Sequence, residues 1–143
     1  ARRGWIGGAT GYAKWAHIEN CDFAFDGQGS YYVYGGIAGQ MVAATAKNCT
    51  VTANTTSSQT KYAGGLVGRL NGLSWIDGCT FRGDVASTKS GAVLGILAGQ
   101  GSAAGAQIKN CKYKATVAGA ASTVLVGANP ENVTLTDNTE LAE

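Results

Sequence analysis

Four cysteines divide the chain into segments of nearly equal length, and this spacing limits the possible folds more than any other feature. Cys21, Cys49, Cys79 and Cys111 follow one another at intervals of about 30 residues, each directly after an asparagine or a glycine. The segment PENVTL repeats the pattern a fifth time, with Val133 in the cysteine position. A valine there indicates that the position needs a small apolar side chain rather than a thiol. The spacing therefore predicts five copies of one structural unit.

A glycine-flanked apolar pair recurs upstream of each cysteine-type position. Its five copies span residues 4–7, 36–39, 65–68, 92–95 and 124–127. Glycine provides 22 of the 143 residues. It suits sharp corners and places where two chain segments come close, since it adopts positive φ without steric cost. We therefore expect a tight corner in every repeat.

Each cysteine-type residue is followed by an alternation of apolar and polar residues that is typical of a half-buried strand. Examples are CTV at 49–51, CTF at 79–81 and CKY at 111–113. Short strands that recur with a period of roughly 20–50 residues indicate a solenoid, in which equivalent strands stack into parallel sheets. The sequence therefore predicts an all-β, right-handed parallel β-helix of about five coils with variable loops. The hand follows from the general preference of parallel crossovers.

The length suits one domain with its own core, so we predict a single β-solenoid over residues 1–143. Its repeats are approximately 4–33, 34–62, 63–90, 91–122 and 123–143. In such a stack the cysteine-type side chains form an inward column with a spacing of about 4.8 Å. The residues before them would form a ladder of turns, because asparagine and glycine tolerate left-handed backbone. The expected members of this ladder are Asn20, Asn48, Gly78, Asn110 and Asn132.

The even spacing of the cysteines favours buried free thiols. Four cysteines in an extracellular protein usually indicate two disulfides, but neighbours in a parallel stack point side by side, which suits the bridge geometry badly. A zinc site is disfavoured because the chain has one histidine, His17, and no C-x₂-C pair. We expect no metal and no cofactor.

Charge and hydropathy disfavour two further classes of partner. Eleven basic and nine acidic residues give a net charge of +2 without a basic block, so we expect no nucleic acid. No apolar run approaches the roughly 18 residues of a transmembrane helix, so we expect no membrane span.

Catalysis is also disfavoured, although some parallel β-helices act on polysaccharides through paired carboxylates. The aspartates stand at different positions of the repeat, so we do not expect them to converge on one face. They are Asp22, Asp26, Asp77, Asp84 and Asp137. The sequence has neither a phosphate-binding loop nor a nucleophile elbow, so we name no catalytic residues. A carbohydrate-active enzyme is the least favoured alternative.

The cluster GGLVG at 64–68, followed by an isoleucine and then by Gly78-Cys79, resembles the GLUG repeats of bacterial surface and secreted proteins. Residues 35–51 and 108–113 are similar to the same motif, whereas Ala92 and Val133 depart from it. The resemblance implies an extracellular or cell-surface location within large modular proteins, including adhesins. It implies no catalytic residues, since the motif is structural.

The tripeptide Arg82-Gly83-Asp84 matches the sequence through which many extracellular proteins engage integrins, so these residues are the candidate partner-binding site. The resemblance offers a competing structural explanation. In the GLUG family a Gly-[Asp/Asn]-Val segment forms a turn after the cysteine strand, and residues 83–85 occupy that place.

The expected function is therefore a non-enzymatic module for adhesion or surface scaffolding, which binds a glycan or protein of a host or bacterial surface. The alternative is a self-assembling subunit of an extracellular fibre, joined end to end with copies of itself through exposed coil ends. Aromatic side chains are available for lateral binding, although some must belong to the core. They are Tyr12, Trp15, Tyr31, Tyr32, Tyr34 and Tyr62.

Overall fold

The computed structural model of this chain describes residues 5–28, 32–56 and 60–142. Within these ranges the chain is all-β and folds into four parallel sheets, numbered I to IV in the order in which the chain visits them. A single turn of 3₁₀ helix, η1, spans Pro130–Asn132.

Sheets II to IV each contain five short strands, one from every coil, and sheet I contains four. Sheet I contains β1 (Trp5–Ile6), β5 (Val33–Gly35), β9 (Tyr62–Gly64) and β13 (Val93–Gly95). Sheet II contains β2 (Thr10–Lys14), β6 (Ala38–Val42), β10 (Val67–Leu70), β14 (Ala98–Gly101) and β17 (Val126–Ala128). Sheet III contains β3 (His17–Glu19), β7 (Thr45–Lys47), β11 (Trp75–Asp77), β15 (Ala106–Lys109) and β18 (Val133–Thr136). Sheet IV contains β4 (Asp22–Gln28), β8 (Thr50–Thr56), β12 (Thr80–Val85), β16 (Lys112–Val117) and β19 (Thr139–Glu140).

The strands stack into about five coils. Coils 1 to 4 begin with β1, β5, β9 and β13, and β17 to β19 form coil 5. Every pair of neighbouring strands is parallel, and Phe81 of β12 lies opposite both Val51 and Tyr113. The prediction of an all-β parallel solenoid is therefore confirmed.

The core follows from the alternation of side chains along each strand. In β12, Phe81 and Val85 are fully buried while Arg82 between them is exposed. In β11, Ile76 is buried between Trp75 and Asp77. Because equivalent residues of successive coils lie directly above one another, these inward positions form continuous apolar columns along the solenoid.

The corner between sheets I and II explains the glycine clusters. A Cβ atom on Gly35 would lie 2.0 Å from the carbonyl oxygen of Ala38, and one on Gly64 would lie 2.0 Å from that of Val67. Positive φ among the described glycines occurs only at residues 78, 83, 91, 105 and 119, none of which lies at this corner. The corner therefore needs glycine for the close approach of two backbones, and the explanation by positive φ is wrong here.

The strand register shows that two of the predicted glycine clusters lie at other residues. Thr10 pairs with Ala38 and Ala98 pairs with Val67, so the equivalents of residues 36–39 are 8–11 in coil 1 and 96–99 in coil 4, instead of 4–7 and 92–95. The error arose because the motif has glycine at both ends. Gly7 and Gly95 are the first glycines of their clusters, whereas the predicted bounds place them last. The residue that replaces a glycine in coil 4 is therefore Ile96, not Ala92.

The left-handed turn ladder before the cysteines is confirmed for four coils. The φ angles are 56° at Asn20, 54° at Asn48, 66° at Gly78 and 55° at Asn110. Asparagine and glycine tolerate this left-handed backbone, which most other residues avoid.

The fifth repeat is displaced from its predicted frame. Val133 pairs with Ala106 in sheet III, so it does not continue the cysteine column. That place belongs to Asn138, whose Oδ1 accepts a hydrogen bond from the Cys111 N–H at 3.0 Å and whose Nδ2 donates one to the Ile108 carbonyl at 2.9 Å.

The final coil also ends the turn ladder differently. Asp137, with φ 55°, is its fifth member, and Asn132 belongs to η1. In coil 5 the side chain in the cysteine place satisfies backbone groups of coil 4, so the inference of a small apolar requirement fails for this coil.

Candidate functional site

The cysteine column lies where sheet III turns into sheet IV, and its four thiols are free, as expected. Cys49, Cys79 and Cys111 are buried, and Cys21 in coil 1 is half-buried. Burial raises the pKa of Cys49 to about 11. The hydrogen bond to Cys111, together with burial, raises the pKa of Cys79. Since the thiolate is the reactive form, Cys49 and Cys79 act as small packing side chains rather than nucleophiles.

The Arg82-Gly83-Asp84 tripeptide lies within β12 in the interior of sheet IV, where it pairs with strands on both sides. Arg82 is exposed and Asp84 is half-buried. The Asp84 carboxylate accepts hydrogen bonds from the Thr116 hydroxyl at 2.5 Å and from the Gly119 N–H at 2.9 Å. It therefore fixes the turn after β16. A partner-binding role for the tripeptide stays a prediction.

The turn expected over residues 83–85 is wrong, because all three residues belong to β12. Gly83 is needed within the strand for a different reason. Its φ is 146°, and a Cβ atom there would lie 1.7 Å from the carbonyl oxygen of Ala53 in the neighbouring coil.

Two of the five aspartates occupy equivalent positions of the repeat. Asp26 and Asp84 both pair with Asn54, from coils 1 and 3, so the expectation that all five stand at different positions is wrong for this pair. Asp22 lies on the same sheet, whereas Asp77 belongs to sheet III. Within the described residues no group of three or more His, Cys, Asp and Glu side chains could hold a metal ion.

The predicted aromatic residues divide into core and surface. Tyr34 is fully buried, and Tyr32 packs edge-to-face against Tyr62 with ring centroids 5.8 Å apart. Tyr31 lies outside the described residues. Tyr12 and Trp15 are exposed, so these two have the surface position that lateral binding needs.

Exposed apolar side chains gather where sheet II turns into sheet III. The large apolar residues exposed within the described ranges are Tyr12, Trp15, Leu73, Trp75, Val124 and Leu135. The first four flank this one corner, in coils 1 and 3. Such concentration differs from the scattered apolar residues of an ordinary surface and is typical of an interaction site.

Backbone conformation at the same corner is costly. Trp15 has φ 54° and Leu73 has φ 64°, in the left-handed region that bulky residues avoid. Each costs on the order of 1 kcal/mol relative to glycine. Both side chains remain 75% exposed, so burial in the core offsets little of this cost. Ala43 in coil 2 (φ 49°) and Gly105 in coil 4 (φ 98°) also have positive φ at this corner, so the fold itself imposes the conformation. It is the large exposed side chains of Trp15 and Leu73 that point to a role outside the fold.

A cleft of about 180 Å³ opens on the outer face of sheet III, next to this corner. We call it the sheet III cleft, and its lining residues are Glu19, Thr45, Ala46, Lys47, Trp75, Asp77 and Lys109. Register explains why they meet, because Thr45 lies opposite Trp75 and Lys47 lies opposite both Glu19 and Asp77.

Charges of opposite sign alternate along one side of the sheet III cleft. Glu19, Lys47, Asp77 and Lys109 occupy one outward column in four successive coils, so each lies about 4.8 Å from the next along the stack. The column contains two acidic and two basic groups and has no net charge.

Hydrogen bonds and ring contacts hold several of these side chains. His17 Nδ1 and the Thr45 hydroxyl form a hydrogen bond of 2.5 Å. The Lys109 ammonium lies 5.3 Å from the centre of the Trp75 ring, and the Lys14 ammonium lies 5.1 Å from that of Trp15. Trp75 nevertheless remains 47% exposed.

Trp75 was not predicted as a functional residue, although the sequence contained a signal for it. Ile76 precedes a cysteine turn and must face inward, so the alternation of a strand directs Trp75 outward. Only the register, which places it beside Thr45 and Lys109, reveals the cleft.

The chain matches no family model, no curated protein and no solved structure. In the part of the chain that the structure describes, no helix has the length and apolar character to cross a membrane.

Proposed function

We propose that this chain is a non-enzymatic binding module of an extracellular or cell-surface protein, which holds a glycan or a protein on the side of its solenoid. The observation that carries the proposal is the group of exposed apolar residues where sheet II turns into sheet III. Two of them, Trp15 and Leu73, remain 75% exposed at a corner position where coil 2 has the small residue Ala43.

The location rests on the resemblance of residues 64–68 and 78–79 to GLUG repeats, which we propose as the family of this chain. Adhesion or surface scaffolding is the role that this family membership supports. The rigid stack suits such a role, because equivalent side chains of successive coils present a fixed surface to a ligand.

A binding panel tests the proposal. The purified chain is immobilised and titrated with neutral, anionic and cationic polysaccharides and with soluble matrix proteins. We expect saturable binding of at least one of these ligands by a monomeric chain. If no ligand saturates the surface, the lateral-binding proposal is wrong.

The same panel tests the enzymatic alternative. Glu19 and Asp77 lie on one face of sheet III, about 10 Å apart along the stack, with Lys47 between them. We expect no increase in reducing ends when a bound polysaccharide is incubated with the chain. Release of reducing ends that Asp77→Asn abolishes would overturn the non-enzymatic assignment.

A fibre subunit is the second candidate. The strands stack along one axis into parallel sheets, so a strand of a second copy could extend a sheet. Unpaired strand edges can template the addition of another chain. Electron microscopy with light scattering over a concentration series distinguishes the two functions. Filaments that grow with concentration favour end-to-end assembly, whereas a persistent monomer favours lateral binding.

A further inference from the structure

We propose that the sheet III cleft binds a neutral saccharide chain, with Trp75 as the stacking platform and the surrounding charged side chains as hydrogen-bond partners. The inference rests on the proposed binding function and specifies its ligand and its site. It follows from the shape of the cleft, the exposed ring and the balance of charge.

The ring of Trp75 supplies the apolar part of the site. Trp75 sits on a central strand of sheet III, with neighbours β7 and β15 on either side, so its backbone is held rigidly. The Lys109 ammonium lies 5.3 Å from the ring centre and 47% of Trp75 remains exposed, so the apolar C–H face of a sugar ring can stack on the exposed part of the indole at low entropic cost. A flat saccharide thus fits this wall better than an irregular protein surface.

Charge balance selects the ligand. An anionic polymer would meet Glu19 and Asp77, and a cationic polymer would meet Lys47 and Lys109. Either ligand would lose binding free energy to like-charge repulsion at alternate positions along the column. Sugar hydroxyls both donate and accept hydrogen bonds, so a neutral sugar can donate to the carboxylates and accept from the ammonium groups.

The cleft is too small to enclose a whole saccharide chain. Its volume of about 180 Å³ is below the roughly 300–1,000 Å³ of pockets that enclose a drug-sized ligand. A longer saccharide would therefore continue beyond the cleft. Trp15 stands at the adjacent corner, two residues before His17, whose ring is hydrogen-bonded to Thr45 of the cleft. We assign Trp15 as a second, weaker contact for such a chain.

Calorimetric titration with defined hexasaccharides tests the assignment. The neutral probes are cellohexaose, laminarihexaose and mannohexaose, and the charged probes are hexagalacturonate and a chitosan hexamer. We expect at least one neutral probe to bind and Trp75→Ala to weaken it roughly tenfold. Trp75→Phe should keep most of the affinity, and Trp15→Ala should cause a smaller loss than Trp75→Ala.

Thr134→Ala is the matched control. Thr134 continues the outward column of Thr45, Trp75 and Gln107, but it lies in coil 5, outside the cleft. It should bind like the unsubstituted chain. A double variant, Glu19→Gln with Asp77→Asn, tests the charge argument, since it leaves two lysines and should gain binding of hexagalacturonate. Thermal unfolding of each variant confirms that it is folded.

Three outcomes would overturn the inference. If a neutral probe binds and Trp75→Ala leaves its affinity unchanged, the site lies elsewhere. If only a charged glycan or a protein binds, the module is a binding protein but the neutral ligand is wrong. If no glycan and no protein binds at all, the proposed function fails together with the inference.

Discussion

Substituting a corner glycine gives the sharpest test of why this chain is rich in glycine. In Gly64→Ala the new Cβ would lie 2.0 Å from the Val67 carbonyl oxygen and 2.7 Å from the Ala98 Cα. Both atoms belong to backbone, one within the same coil and one in the next. Neither can move without shifting a strand of sheet II, so the clash cannot be relieved by a side-chain rotation.

The expected loss is large for a single methyl group. Overpacking a tight interior typically costs about 1–3 kcal/mol, and a contact with two backbone atoms belongs at the upper end. We expect Gly64→Ala to lower the free energy of unfolding by about 3 kcal/mol and the melting temperature by roughly 10 °C.

Gly119→Ala is the control that separates close approach from backbone conformation. Gly119 has φ +78°, yet a Cβ atom there meets nothing within 4 Å. Its substitution should lower the free energy of unfolding by only about 1 kcal/mol, because alanine is disfavoured in left-handed backbone. Urea unfolding followed by circular dichroism measures both values. If Gly64→Ala costs no more than Gly119→Ala, close approach is not the reason for the glycine clusters.

Three further predictions concern the cysteine column and its end. At pH 8 in the folded chain, an aromatic disulfide reagent should modify half-buried Cys21 rapidly and the buried cysteines only after unfolding, since burial blocks access; equal rates for all four would contradict the core position. The pKa of Cys49 rises from 9.0 to about 11 on folding, so its contribution to stability is complete below pH 9 and is lost as the pH rises to about 11. We expect the free energy of unfolding to fall by up to about 3 kcal/mol across this interval, and Cys49→Ala to reduce the fall; a flat profile in urea unfolding would refute the assignment. Asn138→Ala removes two hydrogen bonds and should lower the free energy of unfolding by about 1–3 kcal/mol, whereas Thr134→Ala on the outer face should change it by less than about 0.5 kcal/mol.

The strands and their parallel stacking could be predicted because alternation reports burial directly. Val51, Phe81 and Tyr113 each stand two residues after a cysteine, and the structure places them opposite one another. Apolar side chains at the same phase of every repeat can share a core only if the repeats stack in register. Local sequence is therefore sufficient for the architecture of the central coils.

The ends of the stack could not be predicted in the same way. PENVTL resembles the cysteine segments letter by letter, yet Val133 lies opposite Ala106. Coil 5 differs locally from the coils before it, with the 3₁₀ turn η1 ahead of β18 and an asparagine in the place of the cysteine. Asn138 makes hydrogen bonds to the backbone of coil 4, which no repeat pattern reveals.

Sheet III shows why the candidate binding surface was the hardest part to predict. Its inward column is apolar in every coil, with Ile18, Ala46, Ile76 and Ile108 in register. The outward side chains of the same strands differ in type from coil to coil. For example, Thr45 in coil 2 lies beside Trp75 in coil 3. Adjacent residues of a strand face opposite sides, so the outer column can change without disturbing the core. The repeat motif is therefore fixed by folding, whereas the chemistry of the outer surface depends on which outward side chains adjoin in neighbouring coils. Residues that are about 30 positions apart in the chain thus make one surface, and the motif itself carries no information about the chemistry of that surface.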